Sequence, residues 1–418
     1  MTADIARLRR LAPAPRRRLA LAICLGSLAL GSSVGVMAVS AWLISRAAQH
    51  PPVLELTVAV VCVRGLAIGR AVFRYLERLV SHDLAFRRLA ELRVAVARRL
   101  EPLAPAGLAA FRRGELLTTL VADVDAQQDQ QLRVVEPIAV GALVATASVA
   151  VTAWLLPAAG LVLCAALALA ATVPPLVTAL GTRAANRDLA AQRARQSALV
   201  VEGLRAAPDL TACGAADAWL RRIDLLDADL ARTTKRIGRA TGLGAGLCTV
   251  LGGLAVWAIA LVAVPSVRSG VTPGVQLAVL LLLPIAAWEV VGALAPAVSA
   301  RARVQASARR LAVVLDAPVP VRDPVQPRDL DGPPDRIAVR HLAAHWPVAP
   351  DARDDERPRG IEDVDLDLAP GWRVAVVGQT GAGKTTLVAA LLRQVEVADG
   401  SYLVDGVDAR AAAGDDVR

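Results

Sequence analysis

The chain has 418 residues, 55% hydrophobic and 3% aromatic, with a formal net charge of +9 and a mean hydropathy of +0.48. A surface that apolar cannot face water throughout, so a wholly soluble protein is excluded and a membrane solvent is implied. The positive charge lies in short clusters between apolar runs, without interleaved aromatics for base stacking, and this excludes nucleic acid as the partner.

Arg7, Arg9, Arg10, Arg16, Arg17 and Arg18 precede an apolar stretch over 19–44, too long for the hydrophobic region of a cleavable signal peptide. It reads as a first membrane span. Crossing about 30 Å of hydrocarbon takes about 20 apolar residues, and six stretches qualify: roughly 19–44, 53–74, 136–156, 159–180, 243–264 and 275–297. An even number of spans puts both ends on one side. Long polar segments at about 75–135 and 181–242 follow the second and fourth spans, whereas the opposite loops are short and carry Arg46 and Arg268. The positive-inside rule makes the N- and C-termini and both long segments cytoplasmic. A multi-pass protein of the cell inner (plasma) membrane is expected, with the lipid bilayer as its solvent.

The long segments are predicted helices. LERLVSHDLAFRRLAELRVAVARRL repeats apolar residues at three and four without Pro or Gly. An unbroken helix over 53–100 would be roughly 70 Å long. Pro102, Pro105 and Gly107 break it, and a second helix returns from about Gly114; a matching break falls in AAPDLTACGAAD at 206–217. Two helical hairpins therefore extend beyond the bilayer. Cys24, Cys62, Cys164, Cys213 and Cys248 are odd in number and lack CxxC spacing, so they read as small packing residues rather than a disulfide or zinc framework.

A membrane domain over 1–315 gives way to a linker at 316–335 holding Pro318, Pro320, Pro324, Pro327, Pro333 and Pro334, and then to a soluble segment over 336–418. DARDDERPRG at 351–360 reads as a solvated loop between two strands. RVAVV at 373–377 reads as a buried strand, GQTGAGKT at 378–385 fits G-x-x-x-x-G-K-[ST], and TLVAALLR continues as a helix. This is a P-loop in its strand and helix context, built to bind ATP with Mg2+. Its cradle comprises Gly378, Gln379, Thr380, Gly381, Ala382, Gly383, Lys384, Thr385 and Thr386. The glycines let backbone N–H groups approach phosphate oxygens, Lys384 meets the outer phosphates, and Thr385 ligates magnesium.

Arg64 and Arg70 fall inside the second span and Glu289 inside the sixth, where charge is expensive. One reading is a polar cavity for an anionic substrate carboxylate; the other is a structural Arg–Glu pair or a snorkelling arginine.

Six spans with long helical hairpins ahead of a P-loop domain resemble an ABC exporter half-transporter. The resemblance narrows in RYLERLVSHDLAFRRLAELR at 74–93, LAPAGLAAFRRGELLTTLVADVD at 103–125 and AWLISRAA at 41–48, which look like the CydC subunit family. It covers essentially the whole chain. It implies a mainly α fold: a six-helix ABC exporter transmembrane domain with long cytoplasmic extensions, followed by a partial α/β P-loop nucleotide-binding domain. It also implies a CydD-like partner in a heterodimer, and export of thiols (cysteine, glutathione) or haem in support of cytochrome bd assembly. Residues around 103–113 and 207–216 would be coupling helices. Trp346 falls where the family keeps an aromatic that stacks on adenine, although core packing would also account for it. His82 would be a haem ligand, or else a polar residue at the membrane edge beside Ser81 and Asp83.

Downstream of the P-loop, up to Arg418, no Q-loop glutamine, LSGGQ signature, Walker B aspartate or switch histidine is found. Half of one composite ATP site is therefore expected, and an inactive fragment of such a subunit is the alternative; whether the chain is itself an ATPase stays open. A membrane kinase or GTPase is disfavoured, since neither explains the helical hairpins and no NKxD motif is present. A partial parallel sheet with unpaired edges is expected over 336–418, poorly folded in isolation.

Overall fold

The computed structural model describes residues 3–13, 15–109, 119–292, 294–330, 332, 335–347 and 360–418. Helix α1 spans Ala3–Leu11, α2 Arg16–Ala47 and α3 Val53–Leu100. A 3-10 turn at Glu101–Leu103 and the short α4 (Ala106–Ala109) follow, then α5 (Val124–Ala126) and α6 (Glu136–Leu155). Next come α7 (Pro157–Arg205), α8 (Ala207–Ala212), α9 (Ala216–Arg268), α10 (Gly274–Ala287), α11 (Glu289–Gly292) and α12 (Leu294–Asp316). Among the described residues six helical stretches are long and apolar enough to cross a membrane, and each overlaps one of the six predicted spans. The 48-residue α3 is unbroken from Val53, and both hairpin turns fall where Pro and Gly were read as breaks. Prolines open α6 and α7 within their first turns, where a missing N–H costs no hydrogen bond.

Two compact units emerge. One comprises Ala14–Phe86 and Gln128–Val304; the other Met1–Pro13, Arg87–Gln127 and Gln305–Arg418. The first unit is built from the membrane-capable helices. Its core gathers Val34 and Ala41 from α2, Val144 from α6, Leu163 from α7, Ile259 from α9 and Leu280 from α10. Most apolar side chains in these helices remain outside the core: only 6% of the apolar window of the second span is buried. In hydrocarbon that exposure is no penalty, and association depends on close packing instead. Gly244 of α9 shows this, since a Cβ there would lie 2.0 Å from Thr178 Oγ1 of α7.

The second unit holds the sheet. Strands β1 (Ile337–His345), β2 (Gly360–Leu368), β3 (Val397–Val404) and β4 (Val407–Asp408) lie in the order β2-β1-β3-β4 with every pair antiparallel. Helix α13 (Lys384–Leu391) packs on it, and α14 (Gly414–Val417) ends the chain. Val339, Leu342, Tyr402 and Val404 from the sheet and Leu387 and Ala390 from α13 share one core.

Two expectations are corrected here. The sheet among the described residues is antiparallel, not a partial parallel one, because each ladder joins segments running in opposite directions. Residues 373–377 form no strand: Val374, Val376 and Val377 stand exposed, Val377 at 87%. A strand gains its hydrogen bonds only from a neighbour, and no described strand pairs with this segment. The charged run at 351–359 and the stretch 110–118 of the first hairpin lie outside the described residues.

Candidate functional site

The P-loop is built by backbone conformations that glycine supplies. Gly381 and Gly383 sit at φ +92° and +88°, in the left-handed region. Gly383 also has no room for a side chain, since a Cβ would lie 2.4 Å from Ile361 Cγ2, and Ile361 belongs to the core. Helix α13 starts at the next residue, so its unsatisfied N–H groups and positive dipole end face the loop. Lys384 folds back over the loop: its Nζ donates to Gly378 O at 2.9 Å and to Gln379 O at 2.8 Å. The ammonium is thus held beside the backbone that a phosphate would approach. Gly378, Gln379, Thr380, Gly381, Ala382 and Thr385 are exposed. An exposed hydroxyl, an ammonium and a run of backbone donors are the chemistry that a Mg2+–nucleotide phosphate chain requires, so the residues present fit that group.

Thr386 differs from its neighbour Thr385. It is buried, and its Oγ1 accepts a hydrogen bond from Trp346 Nε1 at 3.1 Å. Trp346 itself packs against the sheet core. Its indole therefore ties the end of β1 to the first turn of α13 and leaves the ring half-buried next to the P-loop helix.

Within the same unit, the first hairpin turn joins the nucleotide segment's core. Ala106 of α4 is fully buried in the cluster that holds Val339, Leu342 and Tyr402. The second turn, α8, buries no residue. Asp123, in the ADVD stretch, is buried and accepts a fork from Arg310: Nε to Oδ2 at 2.8 Å and Nη2 to Oδ1 at 2.5 Å. Asp125 of that stretch pairs with Arg93 at 2.5 Å.

In the membrane-helix unit, the three charges singled out from sequence do not meet. Arg64 and Arg70 lie exposed on α3, and no ion pair among the described residues engages either of them or Glu289. Glu289 instead follows a break in the sixth span at Trp288, whose Nε1 donates to Cys248 O at 3.2 Å. It lines a cavity of about 290 Å³ with Arg74, Glu77, Arg78 and Glu136. Those four were missed in the sequence. The readable signal was the spacing of Arg74, Glu77 and Arg78 at i, i+3 and i+4, which puts them on one helix face.

His82 is exposed on α3, with its ring 6.0 Å from that of Phe86. Its neighbours are engaged elsewhere: Ser81 donates to Glu136, and Asp83 accepts from Arg18 Nη1 at 2.8 Å. Among the described residues no three His, Cys, Asp or Glu side chains gather as a metal site.

Residues 361–418 match the family model described as ABC transporter. The chain is 30% identical over 397 residues to the glutathione/L-cysteine transport system ATP-binding/permease protein CydC of Escherichia coli (strain K12), covering 93% of this chain and 67% of that protein. It is 27% identical over 395 residues to the CydC protein of Haemophilus influenzae, covering 92% and 66%. Against the CydD protein of Bacillus subtilis (strain 168) it is 26% identical over 401 residues, covering 94% and 67%. The chain thus spans about two thirds of the length of these relatives.

Proposed function

The chain belongs to the CydC family of ABC transporter subunits, and from that premise we propose that it is one half of an ATP-driven exporter moving thiols out of the cytoplasm. Its partner in this reading is a CydD-like subunit, and its cargo is cysteine or glutathione, the molecules in the names of its relatives. The N- and C-termini lie in the cytoplasm, and the spans cross the inner membrane.

The observation that carries the reading is a P-loop segment, with left-handed Gly381 and Gly383 ahead of a helix and Lys384 folded over the loop, on a chain with six membrane-capable helices. Mg2+–ATP bound there would supply the binding energy that closes two nucleotide domains on each other. The loop's own residues have defined tasks. Gly381 and Gly383 keep the backbone open to phosphate oxygens, Lys384 would hold the outer phosphates, and the Thr385 hydroxyl would ligate Mg2+, which would offset phosphate charge there. Trp346 holds Thr386 and thereby the first turn of α13 in place. Ala106, buried in the nucleotide segment's core, gives the first hairpin a mechanical hold on that segment.

The test is ATP-dependent uptake of labelled cysteine into inverted proteoliposomes holding the chain with a CydD-like partner. Lys384→Ala should lower uptake at least about tenfold, the usual cost of removing a charge-stabilising group from a phosphoryl site. Uptake indifferent to ATP or to Lys384→Ala would overturn the reading, and ATP-dependent uptake of haem in place of cysteine or glutathione would replace the cargo.

A further inference from the structure

We infer that Arg393 locks the linker onto the rear of the P-loop helix, so that nucleotide held at the front of α13 is felt in the linker and, through it, at the end of α12. Arg393 lies at the far end of α13 from the phosphate loop and acts as a positioning residue. The inference rests on the P-loop binding ATP and adds the route by which occupancy leaves that site.

The backbone first singles Arg393 out. Helix α13 closes in a Schellman turn, with the Arg393 N–H donating to Ala390 O at 3.0 Å and the Gln394 N–H to Ala389 O at 2.8 Å. This places Arg393 in the left-handed region, at φ +48°, a position that glycine fills without strain. A strained arginine where glycine would serve points to a task for its side chain.

That side chain runs inward, and the residue is 1% exposed. Its Nη1 donates to Ala412 O and its Nη2 to Arg322 O at 3.2 Å, while Nη1 lies 3.6 Å from Asp323 Oδ1. The same Asp323 oxygen accepts from the Gly414 N–H at 2.9 Å. A buried guanidinium is costly unless it is paired and hydrogen-bonded. With Nε buried and unpartnered, the charge depends on Arg322 and Asp323 of the linker and on Ala412. The end of the P-loop helix and the linker are therefore held by one group.

Both sides of this latch are short and stiff. Helix α13 has 8 residues, so roughly 12 Å separate its phosphate end from its Arg393 end. On the other side, Leu315 O and Ala317 O, where α12 ends, accept from Arg99 Nε at 3.0 Å and Nη2 at 2.8 Å. From Ala317 to Arg322 the chain extends at most about 17 Å, and Pro318 and Pro320 fix two of its φ angles. Pro320 also packs on the first hairpin turn, since a Cβ on Gly107 would lie 3.2 Å from Pro320 Cδ. A stretch anchored at both ends by arginines passes on a displacement of either anchor.

The experiment uses the full chain in nanodiscs, without partner, and reads hydrogen–deuterium exchange over 384–391 and 317–330 with and without Mg2+–ATP. With ATP at about ten times its Kd, exchange through openings that release nucleotide slows about tenfold. In wild type both peptides should slow by comparable factors. In Arg393→Met and Asp323→Ala, ATP should still slow 384–391, while the slowing at 317–330 falls toward none. The Asp323 side chain is 58% exposed, so Asp323→Ala carries the test if the buried substitution does not fold. A merely structural role would raise linker exchange equally with and without ATP and leave the ratio as in wild type; that ratio in the folded variants would overturn the inference. Slowing at 384–391 without slowing at 317–330 in wild type would overturn it too, and would leave ATP binding standing. No slowing at either peptide would overturn ATP binding at the P-loop and this inference together.

Discussion

Replacing Gly383 and Gly381 by alanine, one at a time, separates two physical costs that the P-loop combines. Both residues hold φ near +90°, so each alanine carries the strain of a left-handed L-residue, about 1 kcal/mol. At Gly381 nothing lies within 4 Å of the added carbon, and strain is the whole cost. At Gly383 the new Cβ meets Ile361 Cγ2 at 2.4 Å, and Ile361 cannot retreat because it is packed in the core of the sheet. Overpacking of that kind adds about 1–3 kcal/mol. The sums are about 1 kcal/mol for Gly381→Ala and about 3 for Gly383→Ala, or roughly fivefold and 150-fold in a local opening equilibrium. Hydrogen–deuterium exchange of a peptide covering Lys384–Leu391, read on the full chain in nanodiscs without nucleotide, reports that equilibrium. Gly383→Ala should accelerate exchange far more than Gly381→Ala, and Ile361→Val in the same background should not restore it, because Cγ2 remains. Equal acceleration in the two variants would refute the reasoning, since the overlap with Ile361 would then carry no energy.

The fork between Arg310 and the buried Asp123 makes a second test. Asp123→Asn keeps the shape and removes the charge. Because the Arg310 side chain is 57% exposed, water recovers part of the loss, leaving about 2 kcal/mol; exchange over residues 119–127 should rise roughly 30-fold, and a double-mutant cycle with Arg310→Gln should show coupling rather than additivity. At the sheet surface, the hydrogen bond from His341 to Asp363 and the charges of Asp365 and Asp363 raise the imidazole above its ordinary value, against a smaller opposing effect of Arg340. Since the folded-state pKa lies above the unfolded one, this contribution is complete below the unfolded pKa and disappears as pH rises through the folded pKa. Titration of the His341 ring signal should show it above its ordinary value in wild type and falling toward that value in Asp363→Asn; no change would exclude the pair.

Much of this architecture was legible before any coordinates, and the reason is period and length. Six apolar stretches, the uninterrupted α3, and the breaks at Pro102, Pro105 and Gly107 follow from local rules that a bilayer enforces strictly, because backbone groups in hydrocarbon must bond within their own helix. The P-loop was legible because glycines, lysine and threonine at fixed spacing prescribe a backbone path by themselves.

Other features depended on partners distant in the chain. RVAVV has the composition of a buried strand, yet composition cannot provide the neighbour a ladder needs, and Val374, Val376 and Val377 stay exposed. Thr385 and Thr386 are chemically alike and adjacent, and only the packing of Trp346 decides that one faces solvent while the other is held in the core. Arg64, Arg70 and Glu289 drew attention because a charge within an apolar run is conspicuous, whereas Glu136 sits at the edge of its span and was passed over. Its burial depends on Ser81, 55 residues away, reaching one of its oxygens. Sequence by itself thus determined the solvent, the spans and the phosphate loop, all set by neighbours along the chain. The meeting of Arg74, Glu77, Arg78, Glu136 and Glu289 was decided only by tertiary structure, because it depends on how separate helices rotate about their axes when they pack.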